Sequence, residues 1–155
     1  MKKLLMVAAM AATCAALPAY AATDAECQAM WTKADVDKDG TLSAAESMRY
    51  TAAMRVNEKQ MAADGKLDQA AFLKYCKDDA YTYMTRKADA GAPLKGANSF
   101  TEGQAKDRAV AQGLTGVGAL KKDDDGIWRG PAMQDGKSVQ VAIDFKGNVG
   151  PQPAP

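Results

Sequence analysis

Four carboxylates lie within one twelve-residue stretch, DVDKDGTLSAAE, which runs from Asp35 to Glu46. Asp35, Asp37 and Asp39 alternate along the chain, and Glu46 closes the stretch. Like charges at this spacing repel one another and destabilise a folded chain. The stretch is therefore either an acidic surface loop in which water screens the repulsion, or a loop whose oxygen atoms surround a cation.

The order of residues inside the stretch favours the cation. A hard divalent cation takes six to eight oxygen ligands, and alternate residues of a tight loop can direct carboxylates to one point. Gly40 stands where such a loop turns sharply and needs a left-handed backbone. Leu42 supplies an apolar residue for the core, and Glu46 can offer both of its oxygens from the next helix.

The stretch resembles the calcium-binding loop of the EF-hand family at every constrained position, with helical patterns on both sides. The resemblance implies calcium as the cofactor, bound as one ion. The ligands that it implies are Asp35, Asp37, Asp39, Thr41 through its carbonyl oxygen, Ser43 through a water molecule, and Glu46.

EF-hands usually occur in pairs, and QMAADGKLDQAA at residues 60–71 resembles a degenerate second loop. Gly65 and Leu67 keep the scaffold of the loop. The residues at its outer ligand positions carry no charge: Gln60, Ala62 and Ala71. We expect this loop to pair with the first through a short strand bridge, Leu42 opposite Leu67, without holding metal. Whether the region around Asp64–Asp68 keeps any metal affinity stays open.

The chain has three cysteines, of which Cys14 lies in the predicted signal peptide described below; the two that remain after export, Cys27 and Cys76, lie on the helix entering the first loop and on the helix leaving the second. These two helices are neighbours in a paired EF-hand. An even number of cysteines in an exported chain favours a disulfide. We expect a Cys27–Cys76 bridge; free thiols and pairing between chains are the alternatives.

The first 21 residues have the features of a secretory signal peptide. Lys2 and Lys3 precede an apolar stretch from Leu4 to Leu17, and Ala19–Ala21 forms a small-x-small cleavage signal. The apolar stretch is short for a membrane span, so a retained anchor is the weaker alternative. We expect a periplasmic or secreted protein with no membrane span after cleavage.

The composition argues against enzymes and nucleic-acid binding. The chain has no histidine, which removes the imidazole base, the Ser–His and Cys–His nucleophile pairs and most zinc sites. Removing Lys2 and Lys3 from 20 basic side chains leaves 18 against 19 acidic ones, a balance that does not call for nucleic acid. We expect a binding protein rather than an enzyme.

Three predicted helices position the two loops in residues 22–85. They cover Asp24–Lys33, Ser43 to about Met61, and Asp68 to about Thr85. Ser43 and Glu46 are spaced as a capping box. The methionines on these helices are expected to fill the core, with a peptide groove or soft-metal ligation as the alternative; they are Met30, Met48, Met54, Met61 and Met84.

Residues 86–99 hold two glycines and a proline and are expected to be a linker. Beyond them, Thr101 and Gln104 form a second capping box, which opens a helix to about Gln112. Two strands are then expected at 127–133 and 138–145, joined by an Asp135–Gly136 hairpin turn. Four residues of the second strand are expected on one face: Val139, Val141, Ile143 and Phe145. Residues 151–155 are expected to be a disordered tail.

Residues 100–149 resemble the PepSY-like modules of exported bacterial proteins. The likeness lies in TEGQAKDRAVAQGLTGVGAL and in DDDGIWRGPAMQDGKSVQVAIDFKGNV. It implies a non-catalytic module at 100–150, associated with envelope proteins and with the inhibition or chaperoning of proteases. The alternative function is therefore that of a protease-modulating protein, acting on an envelope protein or protease.

The predicted fold class is α+β: an all-α EF-hand pair, followed by a small module of one helix and an antiparallel sheet. Within that module, Asp123, Asp124 and Asp125 are adjacent in sequence and point in different directions, so they predict a solvated turn rather than a second metal site. Trp128 is expected to pack against the helix; a binding patch with Arg129 is the alternative.

Overall fold

The computed structural model describes residues 22–61 and 66–153, with side chains through Gly150. Within these ranges the chain has four α-helices, one 3-10 helix at Thr82–Thr85 and one antiparallel sheet of strand order β1-β2-β3-β4. The elements are α1 Asp24–Ala34, α2 Ala44–Val56, α3 Gln69–Lys77, α4 Glu102–Ala111, β1 Lys121–Lys122, β2 Trp128–Gln134, β3 Lys137–Ile143 and β4 Val149–Pro153. Helices precede the sheet, and the α+β class is confirmed.

Side-chain caps fix where the helices begin. Thr23, Ser43 and Thr101 each accept a hydrogen bond from the backbone N–H three residues on, and each forms a full capping box. The boxes at Ser43 and Thr101 were predicted, because Ser or Thr followed by Glu or Gln at the third position is a local signal. Each box satisfies two backbone donors that would otherwise lack partners.

Two helices end earlier than predicted. The second was expected to reach about Met61, but α2 ends at Val56, and Glu58 takes a left-handed backbone with φ 55°. The third was expected to reach about Thr85, but α3 ends at Lys77 because Asp79, at φ 59°, turns the chain before the 3-10 helix. A left-handed residue cannot continue a right-handed helix, and neither position is a glycine that would have signalled the break.

An aromatic cluster fills the core of the helical half, residues 22–85. Phe72 lies at its centre, fully buried, with ring centroids 5.4 Å from Trp31, 4.8 Å from Tyr50 and 4.9 Å from Tyr81. Such edge and tilted ring pairs add stabilisation beyond the area that they bury. The methionines of this half differ in burial. Met54 and Met84 are buried in the core as expected, whereas Met48 is exposed on α2.

A disulfide joins Cys27 of α1 to Cys76 of α3, with the two Cα atoms 5.8 Å apart. Both cysteines are buried. The predicted pairing within the chain is therefore confirmed, and it ties the first helix to the third across 49 residues of sequence.

The sheet half, residues 100–153, packs α4 on one face of the sheet. Ala105 and Ala109 of α4 are fully buried in a core shared with Val141 and Ile143 of β3. The Asp135–Gly136 turn has positive φ at both residues, 49° and 75°, as a two-residue hairpin requires. Phe145, expected at the end of this strand, instead follows it, because β3 ends at Ile143.

Residues 86–99, expected to be a linker, contain no helix or strand but are hydrogen-bonded to the sheet half along their length. We call this segment the strap. The Asp89 N–H donates to the side chain of Asn148, the Leu94 N–H to Asp144, and the Gly96 N–H to the carbonyl of Asp125. Composition indicated a linker, whereas three of its backbone donors bind acceptors more than 25 residues away in sequence.

Residues 151–153, expected to belong to a disordered tail, are instead part of a strand. Residues 149–153 form β4, paired antiparallel with β3 from Ile143↔Val149 to Val139↔Pro153. Pro151 and Pro153 are tolerated in this strand because β4 lies at the edge of the sheet, where a proline's missing N–H need not break a ladder bond. Ala154 and Pro155 lie outside the described residues.

The predicted signal peptide, residues 1–21, also lies outside the described residues. In the part of the chain that is described, no helix combines the length and the apolar character that crossing a membrane requires.

Candidate metal centre

The predicted metal loop, residues 35–46, joins α1 to α2 and includes the first turn of α2. Gly40 has φ 85°, the left-handed value expected from the sequence, and Lys38 adds a second left-handed residue at φ 60°. These two turns fold the loop back on itself. Asp35, Asp37 and Asp39 each offer a carboxylate oxygen such that all three oxygens lie within 4.8 Å of one another.

Hydrogen bonds inside the loop hold the three aspartates in place. The Gly40 N–H donates to Asp35 Oδ2 at 3.3 Å, the Asp39 N–H to Asp37 Oδ1 at 3.2 Å, and the Thr41 N–H to Asp39 Oδ1 at 2.8 Å. Each carboxylate oxygen can accept more than one bond. These contacts therefore orient the three side chains and still leave acceptor capacity for a cation.

Asp35 is the buried member of the group, with 6% of its surface exposed, whereas Asp37 and Asp39 are exposed. Its Oδ1 is sealed from solvent and has no hydrogen-bond partner within the described part of the chain. A buried acceptor left without a partner costs roughly 1–3 kcal/mol, and more when it is charged. The donor set, three clustered carboxylates with one oxygen unsatisfied, fits a hard cation.

Glu46 closes the loop but is not part of the 4.8 Å cluster. Its Oε1 accepts from the Val36 N–H at 2.8 Å and its Oε2 from the Ser43 N–H at 2.9 Å, so the carboxylate bridges the two ends of the loop. Hydrogen bonding by Ser43, through its side chain and its backbone, and by the Val36 backbone lowers the pKa of Glu46 to about 2. The group is therefore an anion at any physiological pH.

Thr41 and Ser43 have structural contacts in the loop. The Thr41 hydroxyl donates to Asp39 Oδ1 at 2.9 Å, and the Ser43 hydroxyl accepts the Glu46 N–H as the cap of α2. Ligation by the Thr41 carbonyl, and by Ser43 through water, stays a prediction.

The second loop meets the first where the sequence places it. The Leu42 N–H donates to the Leu67 carbonyl at 2.9 Å, and Thr41 and Asp68 form an antiparallel bridge. The predicted bridge between the loops is confirmed. Asp68 caps α3 as Ser43 caps α2, so the helices that follow the two loops begin in a similar way. Asp64 and Gly65 lie outside the described residues.

The other acidic run behaves as a turn. Asp123 Oδ1 accepts the N–H groups of Asp125 and Ile127, and its Oδ2 pairs with Arg129 at 2.7 Å. Those contacts already neutralise its charge. Trp128 packs against the sheet core, and its indole N–H donates to the Phe100 carbonyl.

Sequence reasoning missed one buried acid, Asp144, which lies in the sheet half and is fully buried. Burial raises its pKa, but hydrogen bonds from Leu94, Asn148 and Lys146 outweigh that effect and leave the pKa below its ordinary value. The only local signal was the Asp-x-x-Gly-Asn pattern of Asp144–Asn148, which reads as a turn. Two of the four donors to this carboxylate come from the Asn148 backbone and side chain.

Comparisons of the chain with protein-family models, with curated proteins and with solved structures found no match. The EF-hand and PepSY-like resemblances therefore stay predictions.

Proposed function

We propose that the protein binds one calcium ion in the metal loop, residues 35–46. The observation that carries the proposal is the unpartnered, buried Oδ1 of Asp35 beside the carboxylates of Asp37 and Asp39. A cation at this point would satisfy that oxygen and cancel the repulsion among the three charges. Without a cation, the loop would bury a carboxylate whose Oδ1 has no compensating partner.

The residues that would hold the ion are those implied by the EF-hand resemblance. Asp35, Asp37 and Asp39 would supply carboxylate oxygens, and Glu46, an anion with a pKa near 2, would supply its own. Thr41 would add its carbonyl oxygen, and Ser43 would act through water. An all-oxygen set of this size on a loop favours calcium over magnesium, which demands a smaller and more rigid octahedron.

The role proposed for the ion is structural. A calcium sensor works by swinging its helices apart to expose a groove. Here the Cys27–Cys76 disulfide ties α1 to α3 and restrains that motion. The disulfide also supports an oxidising compartment, in line with a periplasmic or secreted protein.

Titration calorimetry and thermal unfolding test the proposal together. We expect calcium to release or absorb heat with one site per chain, and the melting temperature to rise by several degrees when millimolar calcium replaces EGTA. Glu46→Gln should weaken calcium affinity by at least tenfold. Glu58→Gln, which changes an exposed glutamate outside the loop in the same half, is the matched control and should bind as the unaltered protein does.

The proposal fails if the unaltered protein gives no calcium-dependent heat and the same melting temperature in calcium and in EGTA. Equal calcium affinity in Glu46→Gln and Glu58→Gln would show that any binding occurs elsewhere on the surface.

A further inference from the structure

Helix α4 belongs to both cores of the molecule. Its Ala105 and Ala109 are buried in the core of the sheet half, while Ala111, at its last turn, is buried in the core of the helical half. Val110 also packs against the helical core. Protein interiors are close-packed. Any restraint on the part of the helical half that contacts α4 therefore also restrains α4, and through α4 it restrains the sheet half.

That surface includes α2, the helix whose first turn carries Glu46. Arg49, one turn further along, donates from Nε to the carbonyl of Ala111 at 3.0 Å and from Nη2 to the carbonyl of Met84 at 3.3 Å. Ala111 is the last residue of α4, where carbonyl groups lack helical partners. Arg49 therefore caps the end of α4 from the helix that closes the metal loop.

A second arginine of α2 fixes the other side of the contact. Arg55 and Asp107 of α4 form a bidentate pair, with Nε–Oδ2 at 2.9 Å and Nη2–Oδ1 at 2.6 Å. The Arg55 side chain is 55% exposed and that of Asp107 is 24% exposed. Such a pair contributes little raw stability at a surface, but its two parallel bonds set the register of the helices.

We infer that metal binding in the loop stabilises the sheet half through α2, with Arg49 and Arg55 as the positioning residues. The inference rests on the proposed function and deepens it. The chain of contacts is continuous: Glu46 spans the loop from the first turn of α2, and the two arginines of α2 hold α4, which carries the sheet. Coupling of this kind is reciprocal, so the α2–α4 contact should in turn strengthen calcium binding.

The two tryptophans allow each half to be followed separately, since Trp31 lies in the helical core and Trp128 against the sheet core. Urea unfolding would be recorded by fluorescence on Trp128→Phe, which reports the helical half, and on Trp31→Phe, which reports the sheet half. We expect calcium at about 100 times its dissociation constant to raise both midpoints, each by about 1 M urea.

Variants of the α2–α4 contact test whether the coupling runs through Arg49 and Arg55. They are Arg55→Gln and Asp107→Asn, each alone and combined with Arg49→Gln. In these variants we expect calcium to raise the Trp31 midpoint as before, the calcium effect on the Trp128 midpoint to fall to less than half, and calcium affinity to drop by about fivefold. The charge swap Arg55→Asp with Asp107→Arg should restore much of both effects. A role in stability alone would lower both midpoints without changing their response to calcium.

Three results would overturn the inference. A Trp31 midpoint that responds to calcium while the Trp128 midpoint does not would remove the coupling and leave the calcium site intact. Full calcium response of Trp128 in the arginine variants would remove Arg49 and Arg55 from the route. No response of either tryptophan would remove both the coupling and the proposed function.

Discussion

Each half of the molecule buries one aspartate in a loop, and the two differ in what surrounds them. Among the described residues these are the two buried charged side chains. Asp144 accepts four hydrogen bonds at 2.8–3.0 Å, from the N–H groups of Leu94, Lys146 and Asn148 and from the Asn148 side chain. Asp35 accepts one at 3.3 Å on Oδ2 and leaves Oδ1 without a partner.

The difference separates a structural carboxylate from the one that we propose as a metal ligand. Asp144 has its charge dispersed over protein donors, so it is complete without any added ion and pins the strap to the sheet. Asp35 lies among other carboxylates and lacks such donors, which is the environment that the proposed cation would complete. A buried acid should therefore be judged by the donors around it as well as by its burial.

The largest expected effect concerns the disulfide, which belongs to the half with the metal loop. Replacing Cys27 and Cys76 together by alanine should lower the free energy of unfolding by roughly 4 kcal/mol, because the bridge closes a loop of 49 residues in the unfolded chain. Urea unfolding of the double variant and of the unaltered protein measures this difference in free energy. A change below about 1 kcal/mol would mean that the aromatic core holds α1 and α3 together without the bridge.

The next effect tests Asp144. Asp144→Ala leaves several buried donors unpaired, so it should lower the free energy of unfolding by about 3 kcal/mol. The cost should be equal in calcium and in EGTA, because no ion completes this carboxylate. Asp124→Ala, at an exposed position of the same half, should change stability by less than about 0.5 kcal/mol. A cost that depended on calcium would erase the contrast between the two aspartates.

The effect of Asp35→Asn on the free energy of unfolding should change sign when calcium is added. In EGTA the amide relieves an unpaired buried charge, so we expect the protein to become more stable by about 0.5 kcal/mol. In saturating calcium the variant lacks a ligand, and we expect it to be less stable than the unaltered protein by about 2 kcal/mol. Denaturant titrations under both conditions give the two values. Destabilisation of equal size in both would make Asp35 a second structural carboxylate.

The smallest effect is a pH dependence. The pKa of Glu46 is about 2 in the folded protein and ordinary when unfolded, so its contribution to stability is present above about pH 4.5 and is lost as the pH falls towards 2. In EGTA, Glu46→Gln should differ most from the unaltered protein near neutral pH, and the difference should shrink as the pH falls. Ser43→Ala, which removes the first cause of the lowered pKa, should show the same shrinkage in part.

The sequence predicted the backbone turn at Gly40 and the Ser43 cap of the loop at residues 35–46 because their determinants are local. The proximity of Asp35, Asp37 and Asp39 also follows from their spacing along one short stretch, while their role as ligands stays a prediction. Pairing of Cys27 with Cys76 was also predictable, since outside the predicted signal peptide the sequence has two cysteines, which allow one bridge within the chain.

What the sequence could not show depends on distant contacts. The strap was taken for a linker because its composition is that of a loop, whereas Asp144 and Asn148 hold it from more than 45 residues away. The contact of Arg49 with Ala111 spans 62 positions and leaves no pattern in the sequence. Strand β4 was missed because its prolines are unfavourable everywhere except at a sheet edge.

Those prolines have a consequence for solubility. Pro151 and Pro153 lie two residues apart on β4, the outermost strand beside β3, so their missing N–H groups fall on one side of that strand. The ladder with β3 includes both of them, at Val141↔Pro151 and Val139↔Pro153, so we assign that side to the outer rim. A strand from another copy of the chain would find two donors absent at the rim, and fibril-like growth of the sheet from this end is thereby disfavoured.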